Sequence, residues 1–170
     1  NMTQKMMRAC HTLIGCLMLI GQTTWAQEAK ESIQLRINVE AMAQANLNEQ
    51  GRPSPIKVRV YELQNAASFE DADYFSLNTN DKSVLTADML GKDEFILRPG
   101  ESRIIEKKSH PKTTALGILA GYQDLTLVWR VVQTLPEAPK SAWYRSMLPS
   151  KKVELSVQLQ PQGIAVIPKP

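Results

Sequence analysis

The stretch Gly51-Arg-Pro-Ser-Pro-Ile-Lys-Val-Arg-Val-Tyr-Glu-Leu63 consists of a rigid entry followed by an alternating segment. Proline fixes φ and has no amide donor, so the two prolines suit the approach to a strand and not its middle. Apolar and polar side chains then alternate, which is the period of a strand with one buried face. We therefore predict a strand over Ile56–Leu63. Its two faces are predicted to carry Val58 and Val60 in the core, and Lys57 and Arg59 outside it.

The same alternation recurs on both sides of this strand. Residues 32–39 give the clearest case, with isoleucine, leucine and valine on one parity and polar side chains on the other. Further strands are predicted around 95–97, 103–107, 115–122, 125–132, 151–160 and 164–167. About eight short strands separated by turns predict an all-β fold, an antiparallel two-sheet β-sandwich.

One segment, about 65–91, breaks the strand pattern and predicts a small helical insert. Ser68 precedes a sequence typical of a capped helical turn. A second helix is predicted to end at Gly91, because apolar residues before it have near-helical spacing. Aromatic and apolar side chains of the insert are predicted to pack beneath the sheet: Phe69, Tyr74, Phe75 and Leu77.

A long polar connection, Ala41–Pro55, joins the first two strands. Its fifteen residues are far more than a tight hairpin needs. Long connections of this kind are often functional, because they present side chains from a fixed scaffold. We predict a flexible loop that is anchored at both ends and free at its tip.

The first 26 residues have the pattern of an export signal. Two basic residues precede Thr12–Gly21, an apolar run too short to span a bilayer, and Thr24-Trp25-Ala26 places small residues at a signal-peptidase site. We predict cleavage after Ala26, which leaves a domain of residues 27–170 that begins at an unlipidated Gln27.

A second cleavage site competes with the first. Leu13-Ile14-Gly15-Cys16 spells a lipobox, in which Cys16 would be lipidated. The apolar run continues past this cysteine, which favours the cut after Ala26. Both cysteines of the chain lie in the leader, so the exported domain would fold without disulfides.

Residues suited to catalysis or metal binding are scarce after the leader. One histidine, His110, and no cysteine remain, so neither a cysteine nucleophile nor a histidine-pair metal site can be built. Capping or solvation explains the acidic pairs Asp71/Asp73 and Asp93/Glu94 better than a glycosidase site does. With 18 basic and 17 acidic side chains after the leader, nucleic-acid binding is not expected. We predict no catalytic, cofactor-binding or metal-binding residues and no enzymatic activity.

Four segments that follow one another over residues 51–130 resemble the TssJ (SciN) family of type VI secretion systems. They are the opening G-R-P-S-P with its strand, Ala72-Asp73-Tyr74-Phe75, Leu97-x-Pro99-Gly100-Glu101, and Ala120-Gly-Tyr-Gln-Asp-Leu125 before Trp129-Arg130. The family pattern usually has arginine where Gln123 stands. The resemblance implies a transthyretin-like sandwich.

The same resemblance implies a function. Members of the family are outer-membrane lipoproteins in the periplasm, at the inner face of that membrane, and they are structural subunits of the secretion membrane complex. In them the loop between the first two strands binds the periplasmic C-terminal domain of the inner-membrane subunit TssM, and through it TssL indirectly. We predict Leu47 as the apolar anchor at the centre of this contact. The predicted partner-binding residues are Ala45, Asn46, Leu47, Asn48, Glu49 and Gln50.

An alternative function is an exported β-sandwich module that binds a small ligand or a carbohydrate. The proline-rich segment 135–149 carries Trp143 and Tyr144, which would form its stacking platform. The same two rings could instead plug the open end of a sandwich. A TssM-type gene beside this one would favour the secretion role, and a carbohydrate-active neighbour would favour the alternative.

Overall fold

The structure is a computed structural model, and it describes residues 30–170. Cys16, the cut after Ala26 and the rest of the leader lie outside the described residues. The processing of the N-terminus therefore stays a prediction. Within residues 30–170, no helix combines the length and the apolar character needed to cross a bilayer.

Eight strands form two four-stranded sheets, as the alternation predicted. The strands are β1 (Gln34–Ala41), β2 (Ile56–Leu63), β3 (Met89–Leu97), β4 (Ser102–Lys108), β5 (Ala115–Ala120), β6 (Arg130–Thr134), β7 (Lys152–Gln160) and β8 (Gly163–Lys169). One sheet has the order β4-β1-β7-β8 and the other β3-β2-β5-β6. Neighbouring strands run antiparallel except β1 and β7, which are parallel. The predicted two-sheet sandwich is confirmed.

The core lies between the two sheets and contains the side chains that the period of two assigned to it. Val58 and Val60 of β2 are buried there, facing residues such as Ile37 of β1 and Leu155 of β7. Burial of such side chains is worth roughly 1.5–3 kcal/mol each relative to exposure. The inward face of β2 is therefore as predicted.

The outward face of β2 is covered rather than solvated. The helices α1 (Ala67–Asp71) and α2 (Tyr74–Leu85) lie over it and form a second apolar cluster. Arg59, predicted to lie outside, is buried beneath this insert. The members of the second cluster are Tyr61, Leu63, Phe69, Leu77, Leu85 and Leu119. Phe69 and Leu77 therefore pack as predicted, whereas Phe75 is 65% exposed, contrary to the prediction.

Arg59 bonds the insert to the sheet. Its guanidinium donates to the carbonyl oxygens of Leu77 at 2.8 Å and of Asn78 at 3.0 Å, which lie in the middle of α2. Its charge is balanced by the carboxylates of Glu94 on β3 and Asp81 on α2. Burial of Arg59 is therefore compatible with its charge, because both ion-pair and hydrogen-bond partners surround it.

Asp81 is the acidic centre of the same contact. Its carboxylate accepts from the Tyr61 hydroxyl at 3.0 Å and from Lys92 Nζ at 2.8 Å. Burial alone would raise the pKa of Asp81, but the hydrogen bonds from Lys92 and Tyr61 and the charge of Arg59 hold this pKa below its ordinary value. The ionised form is therefore the one that stabilises the insert.

The motif Trp129-Arg130 also holds the insert in place. Arg130 Nη1 donates to the carbonyl oxygen of Phe69 at 3.0 Å and to that of Ala72. The Trp129 ring meets the Tyr74 ring edge-on, with 5.4 Å between centroids. Residues that carry the family resemblance thus join the second sheet to its helical cover.

The insert ends earlier than the sequence predicted. Helix α2 ends at Leu85, and a 3₁₀ turn follows over Thr86–Asp88. Thr86 has a positive φ of +48°, which stops the helix. Met89 then begins β3, so the predicted helix end at Gly91 is wrong. Gly91 instead pairs with Glu62 of β2, where an added Cβ would lie 2.8 Å from the Glu62 carboxylate. The residues from Met89 onward pair with β2, and this pairing outweighs the near-helical spacing of the apolar residues before Gly91.

Strand β6 begins later than predicted, at Arg130. The residues before it form a turn in which Asp124 Oδ1 accepts from the backbone N–H of Thr126 at 2.9 Å. Val128 then forms an isolated bridge with Gly163, whose φ is +132°. An added Cβ on Gly163 would lie 2.6 Å from Val128, so glycine is needed for the two sheets to meet here.

The strand directions define two ends of the sandwich, which we name by the β1–β2 and β6–β7 connections. The β1–β2 end contains residues 42–55, 98–101, 121–129 and 161–162. The β6–β7 end contains residues 109–114, 135–151 and the first described residues, from Lys30, and the insert 64–88 leaves β2 and enters β3 there. Lys30, the first described residue, therefore lies at the end opposite to the β1–β2 loop.

Replacing Val60 with aspartate is expected to destabilise the domain by several kcal/mol, because Val60→Asp buries a carboxylate and removes a core side chain. Lys57→Ala on the other face is the matched control, and we expect a change below about 0.5 kcal/mol. Chemical denaturation of both variants measures the difference. Equal losses would mean that the assigned faces of β2 are exchanged.

The stability of the insert is expected to depend on pH through Asp81. Because its pKa is lower in the folded state than in the unfolded chain, its contribution is present above about pH 4 and is lost as the pH falls through the folded-state value. Asp81→Asn should therefore be less stable than the parent at neutral pH, and the gap should narrow on acidification. Urea titrations at several pH values measure it, and a constant gap would contradict the assignment.

Candidate partner-binding surface

The β1–β2 loop, residues 42–55, is a hydrogen-bonded turn and not the free tip that the sequence predicted. The Asn48 side-chain oxygen accepts from the backbone N–H of Gln50 at 3.0 Å and of Arg52 at 2.8 Å. The backbone of Asn48 exchanges further bonds with Arg52 and Gly51, of which Gly51 has a φ of +71°. The Asn48 side chain thus supplies hydrogen bonds to the backbone of its own turn, where a tight hairpin would use bonds between its two strands.

Asn46 fixes the base of this loop. Its side-chain amide donates to the carbonyl oxygen of Pro55 at 3.0 Å, and its side-chain oxygen accepts from the backbone N–H of Gln123 at 2.9 Å. The second bond ties the loop to the connection between β5 and β6. Since the Gln123 contact uses backbone, it does not depend on whether glutamine or arginine occupies that position.

The predicted binding residues therefore divide into two groups. Ala45 and Asn46 are buried, so they support the loop and cannot form the centre of a contact surface. Leu47 is 43% exposed, Asn48 is half-buried, and Glu49 and Gln50 are exposed. The predicted apolar anchor is thus accessible, and its polar neighbours surround it in sequence.

Met42 is an accessible residue of this surface that the sequence analysis missed. It is 45% exposed and starts the turn that leads to Ala45, whose backbone N–H donates to the Met42 carbonyl at 3.0 Å. The sequence does contain an indication of it. Met42 continues the alternation of β1 on the solvent-facing side, where an apolar residue is unexpected. An unbranched thioether adapts readily to a partner surface.

The electrostatics of the β1–β2 loop are mild. Its ionisable residues are one acid, Glu49, and one base, Arg52, so it has no net charge. Recognition here would depend on the two apolar side chains and on hydrogen bonds from their polar neighbours. Such a surface fits a protein partner rather than a strongly charged ligand.

The other candidate residues occupy structural positions. His110 lies in a turn, where its backbone N–H donates to Glu62 at 2.8 Å and its ring Nδ1 accepts from Lys112 at 3.1 Å. Asp73 caps α2 by accepting from Ser76 at 2.9 Å, and these bonds lower its pKa. Among residues 30–170, no cluster of three or more acidic, histidine or cysteine side chains is placed to hold a metal ion.

Trp143 and Tyr144, the proposed stacking platform, are exposed at the β6–β7 end. Trp143 is 85% exposed and Tyr144 is 50% exposed, so neither ring plugs the sandwich. The rings meet nearly at right angles, at 86°, with 5.8 Å between centroids. Two perpendicular rings do not offer one flat face for a sugar.

Removing the Asn46 side chain is expected to loosen the β1–β2 loop. Asn46→Ala strips a partner from the Pro55 carbonyl and from the Gln123 amide, which should cost about 1–3 kcal/mol. Hydrogen exchange should show faster exchange of the Gln123 amide. Gln50→Ala, at an exposed position of the same loop, is the control that should leave this amide protected. Unchanged exchange in Asn46→Ala would contradict the anchoring role.

Comparison with known proteins identifies relatives of this fold. A search of curated protein sequences found no match. The family model T6SS-SciN, described as type VI secretion lipoprotein and covering VasD, EvfM and TssJ, matches residues 33–162. That match spans most of the described domain.

Solved structures agree with the family match. The type VI secretion lipoprotein TssJ1 from Pseudomonas aeruginosa is 33% identical, with a TM-score of 0.72 over 82% of this chain and 98% of that one. Lip from Serratia marcescens, described as a membrane-bound component of the type VI secretion system, is 31% identical, with a TM-score of 0.71 over 80% and 97%.

A more distant chain shares the fold. It comes from the structure described as the type VI secretion protein TssM C-terminal domain from EAEC, and it is 22% identical, with a TM-score of 0.62 over 78% of this chain and 99% of that one. The family match and the two closer structures together decide the classification. This chain belongs to the type VI secretion lipoprotein family that includes TssJ (SciN).

Proposed function

We propose that this chain is a structural subunit of a type VI secretion membrane complex and that its β1–β2 loop binds the periplasmic C-terminal domain of a TssM-type subunit. Contact with TssL would then be indirect, through TssM. Family membership supports the assembly. The observation that carries the choice of surface is the loop itself, which Asn46 fixes from below while Leu47 and Met42 remain accessible.

The way the loop is held suits a binding role. A loop that is already ordered by its own hydrogen bonds loses less conformational entropy on association than a flexible one. Interface energy concentrates in a few apolar or aromatic side chains surrounded by polar groups that exclude water. Leu47 and Met42 are the apolar side chains of this surface. Asn48, Glu49 and Gln50 are the polar groups around them.

The direction of the chain supports a location at the inner face of the outer membrane, in the periplasm. Lys30 lies at the β6–β7 end, and β1 carries the chain across the sandwich to the β1–β2 loop. The eight residues of β1 span about 26 Å at 3.3 Å per residue. A lipid on Cys16 would therefore hold the loop away from the membrane, toward an inner-membrane partner.

The N-terminus of the exported protein decides whether a lipid tether is present. Cleavage after Ala26 leaves Gln27 without a lipid, as the length of the apolar run favours. Processing at Cys16 leaves an acylated cysteine, as the lipoprotein description of the family favours. Intact mass of the protein from an envelope fraction distinguishes these two N-termini. We propose a structural role, without catalysis, for either form.

Placing a charge on the accessible anchor is expected to weaken partner binding. Leu47→Asp should raise the Kd for the TssM periplasmic domain by about tenfold or more, since a central apolar contact is replaced by a carboxylate. Calorimetric titration measures it, with circular dichroism as the folding control.

The matched control is Ile104→Asp, which charges a similarly exposed apolar residue on β4. This variant should bind with the affinity of the parent. If Leu47→Asp and Met42→Asp both fold and bind at full strength, the interface lies away from the β1–β2 loop.

A further inference from the structure

A second exposed apolar surface lies at the β6–β7 end. Four large apolar side chains within six residues are left to solvent: Trp143, Tyr144, Met147 and Leu148. Trp143 is 85% exposed and Met147 is 78% exposed, more than either apolar residue of the β1–β2 loop. We call these four residues the aromatic patch. Contiguous apolar exposure of this kind marks an interaction site in a soluble domain.

The aromatic patch is held in place by its polar neighbours. Arg145 Nε donates to Glu31 at 3.1 Å, and the short 3₁₀ helix Arg145–Met147 carries this contact in the middle of the patch. The backbone N–H of Glu31 donates to the Pro139 carbonyl at 3.0 Å. The Arg145 side chain thus points toward the domain, whereas the four apolar side chains of the aromatic patch remain exposed. The usual arrangement is the reverse, with apolar side chains buried and charged ones exposed.

The surroundings of the aromatic patch are basic. Residues 136–152 contain four basic side chains and one acidic side chain, a net charge of +3. Lys151 and Lys152 are exposed at its end, where Lys152 also pairs with Glu154, and Arg145 pairs with Glu31. The β1–β2 loop contains one basic and one acidic side chain, so its net charge is zero. The loop that carries the aromatic patch is therefore more positive than the β1–β2 loop.

The aromatic patch also adjoins the start of the described chain. Lys30, the first described residue, forms an isolated bridge with Lys140. The exported chain before Lys30, which begins at Gln27 or at Cys16, therefore joins the domain beside this loop. A membrane that holds a lipid on Cys16 would lie within reach of the aromatic patch.

We propose that the aromatic patch and its flanking lysines rest on the surface of an anionic phospholipid membrane. Tryptophan and tyrosine favour the boundary between headgroups and acyl chains, because one part of each ring system is apolar and another can form hydrogen bonds. Lysines near an anionic surface add electrostatic attraction. A few side chains bind weakly by themselves; where the N-terminus is acylated at Cys16, its insertion into the same membrane would raise their effective concentration.

The consequence is an orientation of the domain. An acylated N-terminus alone would hold the domain at one point and leave it free to rotate. A second contact at the same end would fix the β6–β7 end on the membrane and the β1–β2 loop away from it. This inference goes beyond the proposed function, because it concerns lipid and requires no TssM.

Quenching of Trp143 fluorescence by brominated phospholipids tests the proposal. The purified exported protein, with its N-terminus read by intact mass, is mixed with vesicles of phosphatidylethanolamine and brominated phosphatidylglycerol. We expect quenching in the parent and its loss in Trp143→Phe. Both proteins keep the other tryptophans and the same N-terminus, so the difference reports Trp143 whether or not a lipid anchor is present.

Charge variants test the electrostatic part. The double variant Lys151→Gln/Lys152→Gln should weaken the Trp143 quenching at low salt, as should brominated phosphatidylcholine vesicles. Lys82→Gln, at an exposed position on α2, is the matched control and should leave it unchanged. Equal quenching in the parent and in Trp143→Phe overturns the proposal. A loss of TssM-domain binding in Trp143→Ala, without Trp143 quenching in the parent, would reassign the aromatic patch to a protein interface.

Discussion

Strand β2 is buried on both faces, and Arg59 is the residue that makes this possible. A buried guanidinium is costly unless its charge and its N–H donors are matched. Here carbonyls of α2 and carboxylates from both α2 and β3 supply the match. The valines of β2 close the sandwich, while Arg59 and Tyr61 hold the insert on its other side. Removing Arg59 would leave carboxylates and helix carbonyls without their shared donor.

The β1–β2 loop depends on this fixed strand. Because β2 is held by two layers, its entry at Pro53 and Pro55 is a firm base for the loop, and Asn46 bonds that base directly. The second Asn46 bond reaches the β5–β6 connection, so the loop belongs to the tertiary structure and is more than a tolerated insertion. A partner would meet a surface whose shape exists before binding.

Periodicity was enough to predict the strands but not the environment of their faces. The predicted β2 matches the observed strand, and β1 and β7 agree within two residues, because alternation reports burial in the main core directly. The burial of Arg59 could not be predicted in this way. Polar residues alternate with apolar ones in the same pattern whether their face meets water or is covered by a helix that supplies ion-pair partners. The Asn46 bonds were equally hidden, because they reach backbone groups 9 and 77 residues away. Met89 falls within the predicted helix that ends at Gly91, yet it begins β3, because a short apolar run fits both periods until a pairing strand decides.

The parallel pairing of β1 with β7 explains why the two ends differ. Parallel neighbours begin at the same end of a sheet, so the segments that precede them lie side by side. Here these segments are the first described residues and the loop that carries Trp143, and they are joined by the Glu31–Arg145 and Lys30–Lys140 contacts. An antiparallel pair would have placed them at opposite ends. The topology therefore brings the first described residues, the aromatic patch and the basic loop together, and it leaves the β1–β2 loop at the far end.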